Sequence, residues 1–374
     1  MYKNIILPAS LMVGTIIGAG IFALPYVFTK AGIVSGLFYL LAGALIFTLI
    51  HLMYADVISR TGDGHRFAGY AKIYLGDKAE WLTILTSIIG MFLILTIFLI
   101  LSASFINLFL PNLPDIYKIL IFWLIGSIIV LGGIKRIAVS EFLMVLGIIF
   151  IIFAVFSFGF GSLDKIKNFS LFDSSYFFLP YGPALFAFAG RVGVPAVIMY
   201  FKKGNEPVLK SKKPIILGTL FPAIVYAAFI LGILAISGNV SKDSVSGLVG
   251  RLPEPILWLL GILGLLSLLS TYVPISLDIR KTLELDFKFP KILSGFAIIL
   301  LPLILYFLGL RNFLGLISLI GGVFIGLESI ILILIWRKAA KNPSPDAIIK
   351  KMNMAIPYTL LLIFILGIIL EISR

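Results

Sequence analysis

Two stretches of this chain carry residues whose types and spacing suit the binding of a small charged solute. The first, GTIIGAGIFALP from Gly14 to Pro25, places three glycines and a proline inside an apolar run. Each interior Gly costs a helix about 1 kcal/mol relative to Ala, and Pro removes a donor and clashes with the preceding turn. Unwinding at Gly18, Ala19 and Gly20 would free backbone N–H groups at a half-helix N-terminus, which favours an anion such as a carboxylate. The second, FAFAGRVGVP, breaks at Gly190, Gly193 and Pro195 around Arg191. Carbonyls near Phe186 to Ala189 would there face an ammonium group. Thr15, Phe22 and Phe186 are candidate walls, and Phe22, Tyr26, Phe186 and Phe188 favour a neutral or aromatic side chain, while Arg191 keeps an acidic one open. The competing reading makes the glycines helix contacts, since Gly14 and Gly18 form a GxxxG pair.

Other chemistry is sparser. Arg191 and Glu328 fall within apolar segments, where an ionisable group costs about 2.5 kcal/mol or more to insert and is functional by default. Arg191 has three readings: holding a carboxylate, filling a cation site, or pairing with Glu328. Ser267, Ser270 and Thr271 recur at i, i+3 and i+4, so their oxygens share one helix face; bonding back to their own helix carbonyls is the competing role. Glu141, Asp278 and Glu328 are candidate proton carriers. Asp56, Glu141 and Asp278 also fall near segment ends, where pairing with loop bases explains them. His51 has no second ligand at metal spacing and reads as a helix contact. No HExxH, GxSxG, phosphate-binding glycine loop or paired intramembrane carboxylates occur, so the reading is not an enzyme.

The elements that must position these residues follow from composition. The 374 residues are 60% hydrophobic and 13% charged, with a mean hydropathy of +1.14, which fits a polytopic membrane protein in a lipid bilayer rather than a soluble domain. A span needs about 20 apolar residues, and eleven fit, at about 5–27, 33–58, 82–110, 117–133, 138–160, 179–201, 214–236, 255–277, 291–309, 313–336 and 354–372. The first is too long and glycine-broken for a signal peptide. Phe67, Tyr70, Ile73 and Tyr74 suggest a short amphipathic helix between spans two and three. The net charge of +13 is spread over loops, which argues against nucleic acid. Its clusters, Lys202, Lys203, Lys210, Lys212 and Lys213 or Arg337, Lys338, Lys341, Lys350 and Lys351, fall on the side of the N-terminus. The positive-inside rule therefore predicts a cytoplasmic N-terminus in a cell membrane. Cysteine is absent, which excludes disulfides and thiolate metal sites.

Span six echoes the break of span one. If spans one to five and six to ten are two units, each has an odd number of helices and the second enters the membrane inverted. Two such units with broken first helices point to an inverted-repeat secondary transporter that binds substrate at the midplane. The whole chain, 1–374, is then one transporter domain with repeats at 1–160 and 176–336 and an extra helix at 354–372.

GTIIGAGIFALPYVFTKAG resembles the first-helix signature of the amino acid/auxin permeases and the bacterial aromatic amino acid permeases of the amino acid-polyamine-organocation superfamily. FLPYGPALFAFAGRVGVPAVIMYF, KKPIILGTLFPAIVYAAFILGILAISG and FLGLISLIGGVFIGLESIILILIW are similar to that family's sixth, seventh and tenth helices. These relatives often carry a small polar or His residue where Arg191 stands. The resemblance implies a leucine-transporter-like, all-α fold and alternating-access transport of a neutral or aromatic amino acid, coupled to H+ or Na+, without a cofactor. It also implies a sodium site at Ser267, Ser270 and Thr271, the cation sitting at Ser270 and Thr271 against carbonyls of helix one. A receptor subunit that senses amino acids on the same fold without transporting them is the alternative.

Overall fold

The computed structural model describes residues 2–62, 65–132, 137–285 and 287–373, with backbone alone for 2, 132, 137–145 and 148. Among the described residues the chain is helical throughout, without strands. Span one is α1 (Leu7–Ile16) and α2 (Leu24–Ala31), joined by a 3-10 turn at Ala19–Ala23 and bent by 52°. α3 (Ile33–Thr61) is span two, and α4 (Phe67–Leu75) is the expected short amphipathic helix. Spans three to five are α5 (Asp77–Asn107), α6 (Asp115–Gly132) and α7 (Ile137–Phe160). Span six is α8 (Tyr181–Phe188) and α9 (Gly193–Lys203), followed by α10 (Lys212–Ile236), α11 (Glu254–Leu285) and α12 (Lys291–Phe307). Span ten is α13 (Phe313–Leu319) and α14 (Gly326–Ala339), joined through a π-helical turn at Ile320–Ile325, and α15 (Ala355–Ile372) closes the chain. Among the described residues seven spans are long and apolar enough to cross a membrane, α8 with α9 and α13 with α14 each counting as one, and the bent pair of span one makes eight; α6, α7 and α12 complete the eleven apolar elements.

The core forms where helices meet helices. α10 packs on α7, α1 and α3, while α5 packs on α11, α12 and α6. Apolar residues such as Leu41, Leu45, Ile224, Ile292 and Leu362 point outward. An exposed apolar surface of this extent is compatible with hydrocarbon, where backbone polar groups must be satisfied within helices.

Two elements differ from the sequence expectation. The break in span one is at Ile17 and Gly18, both extended, and the next five residues wind as a 3-10 turn. Pro25 explains the tightening, because it gives no amide to an α-helical bond with Ile21. α11 runs to Leu285, past the expected end at 277. Its last turns carry polar residues out of the apolar zone, supported by the Arg280 to Glu284 pair at 2.8 Å.

The two ends of the molecule are unlike. On the side away from the N-terminus, the amides of Ile33 and Val34 donate to the carbonyls of Ser170 and Leu171, and the Asp173 amide donates to Ala31. The loop before α8 is thereby sealed over the junction of α2 and α3. Gly32 makes that seal possible: its φ is +92°, and a Cβ there would lie 2.5 Å from the Phe172 amide nitrogen.

Candidate functional site

The breaks of spans one and six face one another. A Cβ at Gly20 would lie 2.6 Å from Cα of Ala187, and one at Gly193 would lie 2.4 Å from Oγ1 of Thr15. The glycines therefore do serve close packing, and that packing joins the two interruptions. Tyr226 of α10 shares its hydroxyl proton between the carbonyls of Ile16, at 2.9 Å, and Ala187, at 2.7 Å. One buried side chain thus satisfies a terminal carbonyl of each half-helix.

His51 holds the second break from the other side. Its Nε2 accepts from the Gly190 amide at 3.3 Å, and its Nδ1 lies 3.0 Å from Thr219 Oγ1. The Thr219 hydroxyl donates to the Ile215 carbonyl at 2.8 Å, so the remaining proton in the chain belongs on Nδ1 of a neutral imidazole. The expected helix contact is met, and its partner is the backbone beside Arg191.

A central cavity of about 120 Å³ lies beside the break of span six, against the last turn of α1. Gly14 and Thr15 come to it from α1, Ser87 and Met91 from α5, Ala189 to Val192 from span six, Ser270, Thr271 and Pro274 from α11, and Phe324 and Glu328 from span ten. Arg191 donates to Glu328 through Nε at 3.2 Å and Nη2 at 3.3 Å, and its guanidinium lies over the Phe67 ring at 4.3 Å. Ser87 donates to Glu328 at 2.5 Å. A second cavity of about 780 Å³ reaches from this pair to the side of the N-terminus, between α4, α9 and the extended end of α11, with Asp278, Lys281 and Thr282 in its wall. Ser87, Met91, Arg191 and Val192 line both.

Of the residues singled out in the sequence, Thr15, Arg191, Ser270, Thr271 and Glu328 are brought together at the central cavity. Gly18 adjoins it through Thr271, whose Oγ1 lies 3.7 Å from where its Cβ would be. Ala19, Gly20, Phe22, Phe186 and Phe188 are buried outside the lining: Phe22 meets Phe105 and Phe229 edge-on, and Phe188 meets Tyr226. Ser267 is buried, and its carbonyl accepts from Ser270 at 2.7 Å and Thr271 at 3.4 Å, so the back-bonding geometry is present. The Glu141 side chain lies outside the described residues. Asp278 lies in the wall of the larger cavity, whereas Asp56 belongs to a separate cluster. No group of His, Cys, Asp and Glu suited to a metal occurs among the described residues. Ser87, His51 and Tyr226 are not marked for the site by anything in their sequence spacing.

The family model for the tryptophan/tyrosine permeases matches residues 1–373. The chain belongs to the tryptophan/tyrosine permease family. It is accordingly a membrane transporter rather than an enzyme. No curated protein sequence matches this permease. Its fold is that of solved transporters with distant sequences. The nucleobase-cation-symport-1 family transporter MHP1, in a closed conformation with bromovinylhydantoin bound, superposes with a TM-score of 0.65 at 15% identity, over 98% of the permease and 91% of MHP1. The Eremococcus coleocola manganese transporter in complex with an aromatic bis-isothiourea substituted compound gives 0.67 at 12% identity, over 100% and 86%. A mutant of that manganese transporter gives 0.65 at 13% identity, over the same shares. The permease therefore has the leucine-transporter-like architecture.

Proposed function

We propose that this permease is a secondary active transporter of neutral or aromatic amino acids, working by alternating access in the cell membrane. The observation that carries the reading is the central cavity itself, walled by the last turn of α1 and the interruption of span six and holding one cation and one anion. Backbone groups at helix breaks together with a fixed pair of opposite charges are complementary to an α-amino acid. The mutual contact of the two breaks supports treating 1–160 and 176–336 as inverted repeats, with 354–372 added. The distribution of Lys and Arg supports a cytoplasmic N-terminus; on that reading the larger cavity is a cytoplasmic vestibule and this conformation faces inward.

Coupling has two candidate routes, both with residues at the central cavity. Ser270 and Thr271 stand beside Gly14 and Thr15, where sodium would be held by hydroxyl and carbonyl oxygens. Arg191 and Glu328, with Glu141, are the groups a proton-coupled cycle would use.

Thermal stabilisation of the detergent-purified permease across the twenty amino acids, with and without sodium and at two pH values, tests the reading, because a ligand of the folded state raises its stability. Stabilisation by aromatic or branched amino acids that grows with sodium supports the Ser270 and Thr271 route; dependence on pH alone supports the proton route. Failure of every amino acid under every condition overturns it. Uptake in proteoliposomes separates transport from the receptor alternative, since a receptor binds without accumulating.

A further inference from the structure

The Arg191–Glu328 pair is built unlike an ordinary structural ion pair. Its two contacts, at 3.2 and 3.3 Å, are longer than the roughly 2.7–2.9 Å of a good charge-assisted bond. Neither side chain is sealed: 16% of Arg191 and 17% of Glu328 remain accessible, and both face the central cavity. Each charge also has a second partner on another helix, the Phe67 ring of α4 under the guanidinium and the Ser87 hydroxyl of α5 on the carboxylate. Those partners remain if the two charges separate.

The pair also stands where the cavities meet. The central cavity, about 120 Å³, is smaller than the roughly 300–1,000 Å³ of ordinary ligand pockets, whereas the vestibule, about 780 Å³, lies within that range. Arg191 belongs to the wall of both. Parting it from Glu328 would join them.

We propose that this pair is the receptor for the zwitterionic head of the substrate and that binding works by exchange. The substrate carboxylate takes over the guanidinium, its ammonium takes over the Glu328 carboxylate, and the partition between central cavity and vestibule opens as the two side chains separate. The proposal rests on the amino acid reading above. Charge balance is the physical argument: a zwitterion brings one charge of each sign, so both buried ions stay paired and no net charge enters the membrane. An amine could satisfy only Glu328 and would cost Arg191 its hydrogen-bonded carboxylate, with Asp278 across the vestibule as the remaining acidic neighbour. A carboxylic acid would do the converse. The site accordingly selects for the amino acid head group itself, apart from the side chain it carries.

The test is competitive binding to the purified full-length permease, using the amino acid that stabilises it most, with tryptamine and indole-3-propionate as probes that each lack one charge. In the wild type the amino acid should bind at least about tenfold better than either probe. Arg191→Gln should weaken amino acid binding by about 10- to 100-fold and improve tryptamine relative to it; Glu328→Gln should do the same in favour of indole-3-propionate. The double variant Arg191→Gln/Glu328→Gln leaves no unpaired charge, so it should retain a cooperative melt while losing amino acid binding. Amino acid binding by a folded double variant within about twofold of wild type would overturn the exchange, as would single variants that lose all three compounds in parallel. If no amino acid binds the wild type, the transport reading fails first and takes the exchange with it.

Discussion

At the scale of single residues, the neutral His51 is the best example of a side chain whose role is set by its neighbours. Replacement by Gln keeps an acceptor near the Nε2 position for the Gly190 amide, whereas Asn keeps a group near Nδ1 for Thr219 and loses that acceptor. His51→Asn is therefore expected to lose about 1–3 kcal/mol, the usual cost of a buried amide left without a partner, and to raise the KM for uptake. His51→Gln should remain closer to wild type in both melting and transport. Equal loss in the two variants would mean that ring packing, not the bond to Gly190, is what matters. The sequence makes His51 legible as an intramembrane polar residue but not its partners, which lie 139 and 168 residues away. Arg191 and Glu328 stand out for the cost of charge in hydrocarbon; that they meet, with Ser87 between α5 and α14, depends on tertiary contacts that no local spacing encodes.

At the scale of elements, the glycine-rich breaks are legible because Gly and Pro act through the local backbone. The break falls at Ile17 and Gly18, and the following 3-10 turn is not readable from composition. Ala19, Gly20, Phe22, Phe186 and Phe188 are buried in helix contacts outside the central cavity, since their burial depends on which neighbour covers them. Close approach makes its own prediction. Gly20→Ala puts a methyl against backbone atoms of Ala187, which cannot rotate away. It should cost about 1–3 kcal/mol as an overpacked contact and depress uptake, whereas Gly62→Ala, which meets nothing within 4 Å, should leave the site intact despite the strain of its φ of +98°. Melting temperature and initial uptake rate of the two variants check this.

For the whole molecule, the absence of native cysteine permits a direct test of which side is open. Single substitutions Ala68→Cys and Thr282→Cys, in the vestibule wall, should react with a membrane-impermeant maleimide applied from the side of the N-terminus, and bound substrate should slow the reaction. Phe22→Cys, in the aromatic cluster beyond the break, should remain unreactive from either side in this conformation. A second global feature is the buried carboxylate of Asp56, which accepts from Arg60 Nε at 2.8 Å, Trp336 Nε1 at 2.8 Å and the Ile349 amide at 3.0 Å. Arg60 in turn donates to the carbonyls of Asn342 and Ile349. Asp56→Ala would strand a buried guanidinium and should lower stability by about 3–5 kcal/mol, read as a lower melting temperature with or without substrate.

That cluster ties α3 to α14 and to the segment leading into α15, close to one end of a 29-residue helix. In mechanical terms Asp56 is a fulcrum. At about 1.5 Å of rise per residue, Ile33 stands roughly 35 Å from it and His51 only about 7 Å. A tilt of α3 by about 10° around that point would swing the sealed end by roughly 6 Å but move His51 by only about 1 Å. The lever is long toward the sealed end and short at the break of span six, so a tilt of α3 would displace that end while its grip on the Gly190 amide barely shifts.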